Sequence, residues 1–174
     1  TWFGFKLPNI TRKEAMEKLL IDQRGWLWIT VRKDSKNKLG IFCLDTKNTL
    51  KNTSDDQSIY KEDIYNQDGK KLAIDGFISI AEDKNGEIWI GTYQGPLVIK
   101  NPTNFFSDNF YFTQIEVPRN DGTNTADMLL ETEAISAICI DGANRKWLGT
   151  QNSGIYLVSE DGLETIHHFT KDNS

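Results

Sequence analysis

The sequence predicts an all-β protein, and three observations support this fold class. Short runs rich in Ile, Val, Trp and Tyr alternate with turn residues along most of the 174 residues. One motif, an Asp six residues before a Trp, occurs three times at intervals of roughly 60 residues, a period that indicates a repeat architecture. The composition, 38% hydrophobic and 11% aromatic, provides enough apolar material for a packed core.

Each copy of the motif combines the end of a strand, a turn and a second strand that contains the Trp. An Asp side chain favours a turn because it hydrogen-bonds the backbone two residues on. Gly or Asn, three residues before the Trp, accepts the positive φ that a tight hairpin needs. The predicted structural motif residues are Asp22, Gly25 and Trp28 in the first copy, Asp83, Gly86 and Trp89 in the second, and Asp141, Asn144 and Trp147 in the third.

Two further strands follow each copy. In the first copy the charged insert 32–38 lengthens the turn that leads to the third strand. The predicted third strands are 40–44, 97–99 and 155–158, and fourth strands are predicted within 109–117 and 163–169. Four short antiparallel strands per repeat are typical of the blades of a β-propeller.

We therefore predict a β-propeller with about three four-stranded blades plus a partial one at 1–5, as a fragment of a larger propeller. We expect 1–174 to lie within one propeller, with repeat cores near 18–45, 77–100 and 135–158. Propellers typically have 4–8 blades, so three do not close a ring. The expected partners are other blades of the same protein or another copy of this chain.

One local signal departs from the strand pattern. Thr11 and Glu14 fit a capping box, and Ala15, Leu19 and Leu20 follow it. The segment before the first strand is therefore either a single helical turn or a polar loop.

Charge and hydropathy exclude two classes of function. The net charge is −5 with both signs interspersed, whereas nucleic-acid binding needs a basic stripe. No run of 18 apolar residues occurs, so no membrane-spanning segment is predicted.

Cys43 and Cys139 both lie in apolar strand-like runs, which favours buried free thiols over a disulfide between two repeats.

No motif for catalysis or metal binding stands out. There is no Gly-x-Ser-x-Gly sequence and no phosphate loop. Asp83 begins a segment similar to a calcium loop, but Gln94 stands where the bidentate Glu is needed. His167 and His168 are strand neighbours, which point to opposite faces. We expect no catalytic residue, no cofactor and no metal site.

The aromatic residues allow two interpretations. Trp28, Trp89 and Trp147 occupy equivalent repeat positions, which favours packing between blades over a sugar-stacking platform. Trp26 is not repeated and is expected on the same strand face as Trp28. The segments 105–106 and 110–112 are the better candidates for an exposed aromatic surface, although core packing is favoured for them too.

The segments 88–92 and 146–150 resemble the two-component regulator propeller repeat, which has the pattern Asp-x-x-Gly-x-(Ile/Leu)-Trp-(Ile/Val)-Gly-Thr. The second copy follows this pattern closely. Asn144 stands where Gly is usual in the third copy, and Thr30 where Gly is usual in the first. The resemblance covers most of the chain through its three copies and implies a propeller.

A narrower resemblance involves 117–130, 142–154 and 164–170. These segments are similar to the PorZ family, the surface propeller component of the Bacteroidetes type IX secretion system. The resemblance implies a non-enzymatic extracytoplasmic protein with two propellers and a C-terminal sorting domain. It also implies that the protein acts in an attachment complex with the sortase PorU, PorV and PorQ. That complex handles the anionic lipopolysaccharide that anchors cargo. The family has no short catalytic motif, so no site residue is transferred.

Two alternatives remain open at the level of sequence, because fold does not determine function. Hybrid histidine kinases carry similar propellers in periplasmic sensor regions that detect glycan fragments. A propeller lyase or glycosidase would need an acid and a base facing the central channel, and no such pair stands out.

Overall fold

The computed structural model describes residues 14–33, 38–49 and 51–173, and strands and turns make up nearly all of this part. Its only helix is a 3-10 helix at Pro102–Phe106. The described strands are β1 Glu14–Ile21, β2 Leu27–Lys33, β3 Lys38–Asp45, β4 Gln57–Lys61, β5 Phe77–Glu82, β6 Ile88–Thr92, β7 Gly95–Ile99, β8 Glu116–Pro118, β9 Ala126–Met128, β10 Ile135–Ile140, β11 Lys146–Thr150, β12 Ile155–Val158 and β13 Thr165–Phe169.

The strands form three successive antiparallel sheets, which we call blades 1 to 3. Blade 1 has the order β1-β2-β3-β4 and blade 3 the order β10-β11-β12-β13. Blade 2 contains β5-β6-β7, and its fourth position is a single antiparallel bridge between Val98 and Thr113. The predicted fragment of an all-β propeller is confirmed.

The fourth strand of blade 2 is shorter than the predicted segment 109–117. Only Thr113 bridges to β7, the bridge of Phe112 is to Asn66, and Glu116–Pro118 pairs with β9 in a small separate hairpin. The shortening has a packing cause, since the Phe112 ring is buried in the core beside Phe105.

The first strand of each blade carries a β-bulge at the same place. The register shifts at Glu17 in β1, at Ile78 in β5 and at Ser136 in β10. A bulge bends a strand and increases its twist. β5 lies beside β1 on one side and beside β10 on the other, so these strands form the inner layer of successive blades.

Two hydrophobic cores lie between the blades. The first contains Trp28 from blade 1 and Ile88 and Phe105 from blade 2. The second contains Trp89 from blade 2 and Leu148 from blade 3. Each motif Trp in these cores therefore points toward the following blade, and we call that side of a blade its trailing face.

The segment before the first strand was predicted to be a helical turn or a polar loop, and from Glu14 onward it is neither. Glu14 through Leu20 belong to β1, which pairs with β2 along its length. Leu20 packs against the first inter-blade core, so pairing and burial outweigh the local capping signal. Thr11 and the predicted partial blade at 1–5 lie outside the described residues.

Both cysteines are free, as the sequence favoured, and no disulfide joins the two repeats. Cys43 is buried in the first inter-blade core, and burial, followed by the charges of Asp22 and Asp45, raises the pKa of its thiol far above the usual range. Cys139 is exposed, contrary to the expectation of a buried thiol. It lies on the trailing face of blade 3, which no described residue of a further blade covers. No helix within the described residues is long and apolar enough to cross a bilayer.

Candidate functional site

The three Asp residues of the motif hold their turns in the same way. One carboxylate oxygen accepts hydrogen bonds from the backbone N–H groups two and four residues later, at 2.9–3.0 Å in every copy. The residue three positions before each Trp has a positive φ, which is 83° at Gly25, 78° at Gly86 and 61° at Asn144. The end of the blades that carries these turns is called the turn face below.

The spacing of six residues places the Trp indole against the Asp carboxylate. The Trp28 indole donates to Asp22 Oδ2 at 3.1 Å, and the Trp147 indole donates to Asp141 Oδ2 at 3.3 Å. In the second copy the buried Trp89 indole makes no such bond. Lys146 of blade 3 takes its place, with its Nζ 2.8 Å from Asp83 Oδ2.

Lys146 is a fully buried cation in the interface between blades 2 and 3. Its ammonium group donates to the backbone carbonyls of Asn144, at 3.0 Å, and of Glu160. It also lies 4.9 Å from the centre of the Trp89 ring, within the range of a cation–π interaction. Lys146 is not part of the predicted motif, although a Lys at a strand position where the other copies have Leu27 and Ile88 is a usable signal.

Neighbouring turns are joined directly at the turn face. Between blades 1 and 2, the backbone N–H of Gln23 donates to Glu82 Oε2 at 2.7 Å. The Arg24 guanidinium crosses the same interface and donates to Gly86 O at 2.9 Å and to Glu82 Oε1 at 3.3 Å. Burial raises the pKa of Glu82, and the Gln23 N–H opposes that effect.

The joint between blades 2 and 3 contains an equivalent hydrogen bond from a backbone N–H, but a different side chain accepts it. The N–H of Lys84, which follows the motif Asp as Gln23 does, donates to Asn144 Oδ1 at 2.9 Å. The Asn144 amide also donates to Glu160 Oε1 at 3.1 Å. Asn144 therefore both adopts the positive φ of the turn and accepts the hydrogen bond from the preceding blade.

Replacing Asn144 with Gly should separate these two roles. Gly keeps the positive φ but removes the acceptor for Lys84 N–H, so we expect a loss of about 1 kcal/mol in the free energy of unfolding. Asn120→Gly, at an exposed position whose φ of 54° is also positive, is the matched control for the change in backbone freedom. Urea denaturation measures both variants, and equal losses would show that the side-chain contact contributes nothing.

Both carboxylate oxygens of Asp141 accept hydrogen bonds. Burial raises the pKa of Asp141, but hydrogen bonds from the Arg145 guanidinium and backbone, the Trp147 indole and the Ala143 N–H outweigh it. The pKa falls from 3.8 to about 2. These bonds favour the ionised form, so the carboxylate acts as a fixed structural acceptor.

One Ser, His and Glu neighbourhood lies at the opposite end of blade 3. Ser153 Oγ donates to Glu133 Oε1 at 2.8 Å, whereas the His168 ring nitrogen lies 2.5 Å from the backbone carbonyl of Ser153. The Tyr156 ring stacks on His168, with centroids 3.8 Å apart. A catalytic nucleophile needs a base on its hydroxyl, and this histidine contacts a carbonyl instead.

The described residues contain no group of three or more His, Cys, Asp and Glu that could hold a metal ion. The Asp83 carboxylate, which begins the calcium-like segment, is occupied by two backbone N–H groups and by Lys146. His167 lies near Phe169 and His168 near Tyr156, so the two imidazoles contact different neighbours.

Most of the aromatic candidates are core residues. Phe105 and Phe112 are buried, and the Phe105 ring contacts Trp28 edge-on with centroids 4.9 Å apart. Trp26 packs against the same core as Trp28. Tyr111 is 52% exposed and lines a cavity of about 80 Å³. That volume is well below the roughly 300–1,000 Å³ of small-molecule sites.

The trailing face of blade 3 carries an apolar groove. The groove has a volume of about 370 Å³ and is lined by Cys139, Trp147, Gly149 and Ile155. The Trp147 ring stacks on Phe169 with centroids 5.5 Å apart but remains partly exposed, whereas Trp28 and Trp89 are fully buried. This surface and the joints of the turn face are the candidate sites.

Residues 71–94 match the family model described as two component regulator propeller. No curated protein sequence is significantly similar to the chain. Among solved structures, the whole chain superposes on PorZ, described as an essential bacterial surface component of the type-IX secretion system of Porphyromonas gingivalis, with a TM-score of 0.88 and 25% identity. The chain spans 23% of the length of that structure. The predicted resemblance to regulator propeller repeats and to PorZ is confirmed.

Proposed function

We propose that this chain is a non-catalytic segment of an extracytoplasmic propeller protein that serves, as PorZ does, at the bacterial surface in type IX secretion. The observation that carries the proposal is the superposition of the entire chain on PorZ at a TM-score of 0.88. In this proposal 1–174 lies within one propeller, with repeat cores near 18–45, 77–100 and 135–158.

The polar groups of the motif support a non-catalytic role. The carboxylates of Asp22, Asp83 and Asp141 are each occupied by two backbone N–H groups of their own turn. Glu82 and Asn144 are occupied by contacts between blades. We therefore assign the nine motif residues to turns and blade packing, and none of them to substrate.

The proposed partners follow from the resemblance to PorZ. They are the sortase PorU, PorV and PorQ, together with the anionic lipopolysaccharide that anchors cargo. Because the chain spans 23% of the PorZ structure, these partners are assigned to the intact protein and not to a particular blade.

Deletion of the encoding gene in its own host tests the secretion role. We expect cargo with a C-terminal sorting domain to be retained or left unanchored, as followed by cell fractionation and immunoblotting. Complementation with the wild-type gene should restore surface anchoring. A gene that carries Cys139→Ser, which leaves the repeat motif unchanged, should restore it equally. Unchanged cargo anchoring in the deletion strain would refute the proposal, as would a kinase domain downstream in the same gene.

A binding assay on the purified intact protein tests the ligand class. We expect binding to the host's anionic lipopolysaccharide and no binding to neutral oligosaccharides, measured by calorimetry. The reverse preference would favour the glycan-sensor alternative. Turnover of a polysaccharide would contradict the non-catalytic assignment.

A further inference from the structure

A small pocket lies at the outer edge of blade 2, where the chain leaves β7. The chain forms the 3-10 helix at Pro102–Phe106 and then returns to pair with Val98 through Thr113. The pocket, called the Tyr111 pocket below, has a volume of about 80 Å³. The residues that line it belong to this one segment and include Lys100, Asn104, Asn109, Phe110 and Tyr111.

Buried aromatic packing fixes one wall of the Tyr111 pocket. The Phe110 ring lies edge-on to the rings of Phe105 and Phe112, with centroids 4.8 and 4.9 Å away. Phe105 and Phe112 are themselves buried in the first inter-blade core. Tyr111 lies between Phe110 and Phe112 in sequence, but its ring is exposed. The pocket therefore combines a wall held by packing with one accessible aromatic ring.

The polar groups of the pocket are available to a ligand. Within the part of the chain that the structure describes, four of its side chains make no hydrogen bond or ion pair, namely those of Lys100, Asn104, Asn109 and Tyr111. Each of them can donate a hydrogen bond, and the lysine adds a positive charge. None of the described lining residues is an Asp or a Glu. Donors that surround one small space favour an oxyanion, such as a carboxylate or a phosphate group.

Carboxylates lie on the other side of Lys100. A neighbouring concavity of about 360 Å³ is lined by Lys100 together with Glu87, Glu160 and Asp161. Burial raises the pKa of Glu87, and the charge of Lys100 is the largest effect that opposes this rise. The lysine thus separates a carboxylate-lined concavity from a donor-lined pocket, and an anion is favoured only in the pocket.

The exposed ring distinguishes a free anion from an anionic sugar. The face of an aromatic ring carries partial negative charge, so it repels a bare oxyanion and attracts the C–H groups of a saturated ring. The pocket is also too small for a whole metabolite, although it is large enough for one charged group. A sugar with an acidic substituent meets both conditions, because its charged group enters the pocket while its ring covers Tyr111.

An acidic peptide is a poorer ligand for this pocket. Peptides that bind beside a sheet commonly add a strand to an open edge. Here the edge of β7 is occupied, since Thr113 N–H donates to Val98 O at 2.8 Å and Val98 N–H donates to Thr113 O at 2.9 Å. The pocket offers amide side chains and a ring, which suit the hydroxyls and the C–H face of a sugar.

We propose that the Tyr111 pocket binds a sugar unit that carries a carboxylate or a phosphate group. The acidic group accepts hydrogen bonds from Lys100, Asn104 and Asn109, and the C–H face of the sugar ring stacks on Tyr111. The preference for an acidic sugar depends on the pocket alone. Its extension to the anionic lipopolysaccharide of the host rests on the proposed function.

Saturation-transfer NMR on the intact protein tests the preference. The probes are methyl glucuronide and glucose 6-phosphate, with methyl glucoside as the neutral control. We expect both acidic sugars to bind with a Kd on the order of 1 mM, as ligands with few contacts do. The neutral sugar should bind at least about 10-fold more weakly, since it lacks the charged acceptor for Lys100.

Variants of the pocket should change this binding without affecting the fold, because the side chains involved are exposed. Lys100→Met should weaken the binding of the acidic sugars about 10-fold or more. Tyr111→Ala should weaken it about 5-fold, whereas Tyr111→Phe, which keeps the ring, should bind nearly as the wild type does. Lys70→Met and Tyr65→Ala remove the same kinds of side chain at exposed positions outside the pocket and should leave binding unchanged.

Calorimetry with the host's anionic lipopolysaccharide separates this inference from the proposed function. If the wild-type protein, Lys100→Met and Tyr111→Ala bind the lipopolysaccharide equally, the pocket is not its site and the proposed function stands. If the wild-type protein binds methyl glucuronide through Lys100 and Tyr111 but does not bind the lipopolysaccharide, the pocket stands and the proposed ligand is wrong.

Four results would overturn the proposal for the pocket itself. Neither acidic sugar might bind at all, or methyl glucoside could bind as tightly as methyl glucuronide, which would remove the role of the charge. Inorganic phosphate that binds as tightly as glucose 6-phosphate would show that the sugar ring contributes nothing. A tri-glutamate peptide that displaces methyl glucuronide at lower concentration than glucose 6-phosphate does would assign the pocket to a protein partner.

Discussion

Replacing Trp89 with Ala should cost about 3–5 kcal/mol of the free energy of unfolding, as removal of a fully buried Trp usually does. The side chain fills the core between blades 2 and 3, where it packs with Val98, Leu148 and Val158. The same substitution also removes the ring beneath the Lys146 ammonium. Equilibrium urea denaturation followed by circular dichroism gives the value.

Trp147→Ala is the matched control, since the two residues occupy the same motif position. Trp147 is partly exposed and contacts Phe169 from its own sheet. We expect a smaller loss, about 2 kcal/mol, because part of this side chain stays in contact with water and its ring packs only against its own sheet. Equal losses for the two variants would contradict the view that the motif Trp stabilises through the blade that follows it.

Replacing Lys146 with Ala should cost a comparable amount, about 3–5 kcal/mol, because it leaves a buried carboxylate without its countercharge. Asp83 Oδ2 lies 2.8 Å from the lysine nitrogen, and both side chains are fully shielded from water. The two backbone carbonyls that accept from Lys146 lose their partner as well. Urea denaturation again measures the loss.

Lys146→Leu separates the lost charge from the lost volume. Leu27 holds this position in blade 1, where the Trp28 indole donates to Asp22. Either substitution frees the Trp89 indole to donate to Asp83, but only Leu fills most of the volume of the lysine, so we expect Lys146→Leu to cost about half as much as Lys146→Ala. Equal losses would show that the lost ion pair, and not the cavity, determines the cost.

The local parts of the fold were predictable because they repeat. An Asp, a Gly or Asn and a Trp at fixed spacing determine a hairpin through contacts within a few residues, and all three hairpins are present. The fourth strand of blade 2 was predicted too long, since the burial of Phe112 beside Phe105 joins residues that no local period connects.

The joints between blades could not be predicted from the motif, because each uses a different pair of side chains. Glu82 is one residue before an Asp of the motif and Lys146 one residue before a Trp, yet both interact across an interface. Their partners lie about 60 residues away in sequence, a separation at which strand alternation carries no information about contacts. The exposure of Cys139 was missed for a related reason, since the apolar pattern of β10 does not reveal whether another blade covers it.

The different side chains at the two joints make the order of the blades specific. If recombination between repeats removed blade 2, blade 3 would follow blade 1 directly, with Ile140 at the position of Glu82. Arg24 would lose Glu82 but would face Glu160, which accepts a hydrogen bond from the corresponding residue Asn85 in the present joint. Lys146, which pairs with Asp83 Oδ2 in the present joint, would compete with the Trp28 indole for Asp22 Oδ2. A gene shortened by one repeat would therefore encode a joint with rearranged contacts even though each blade kept its own hairpins.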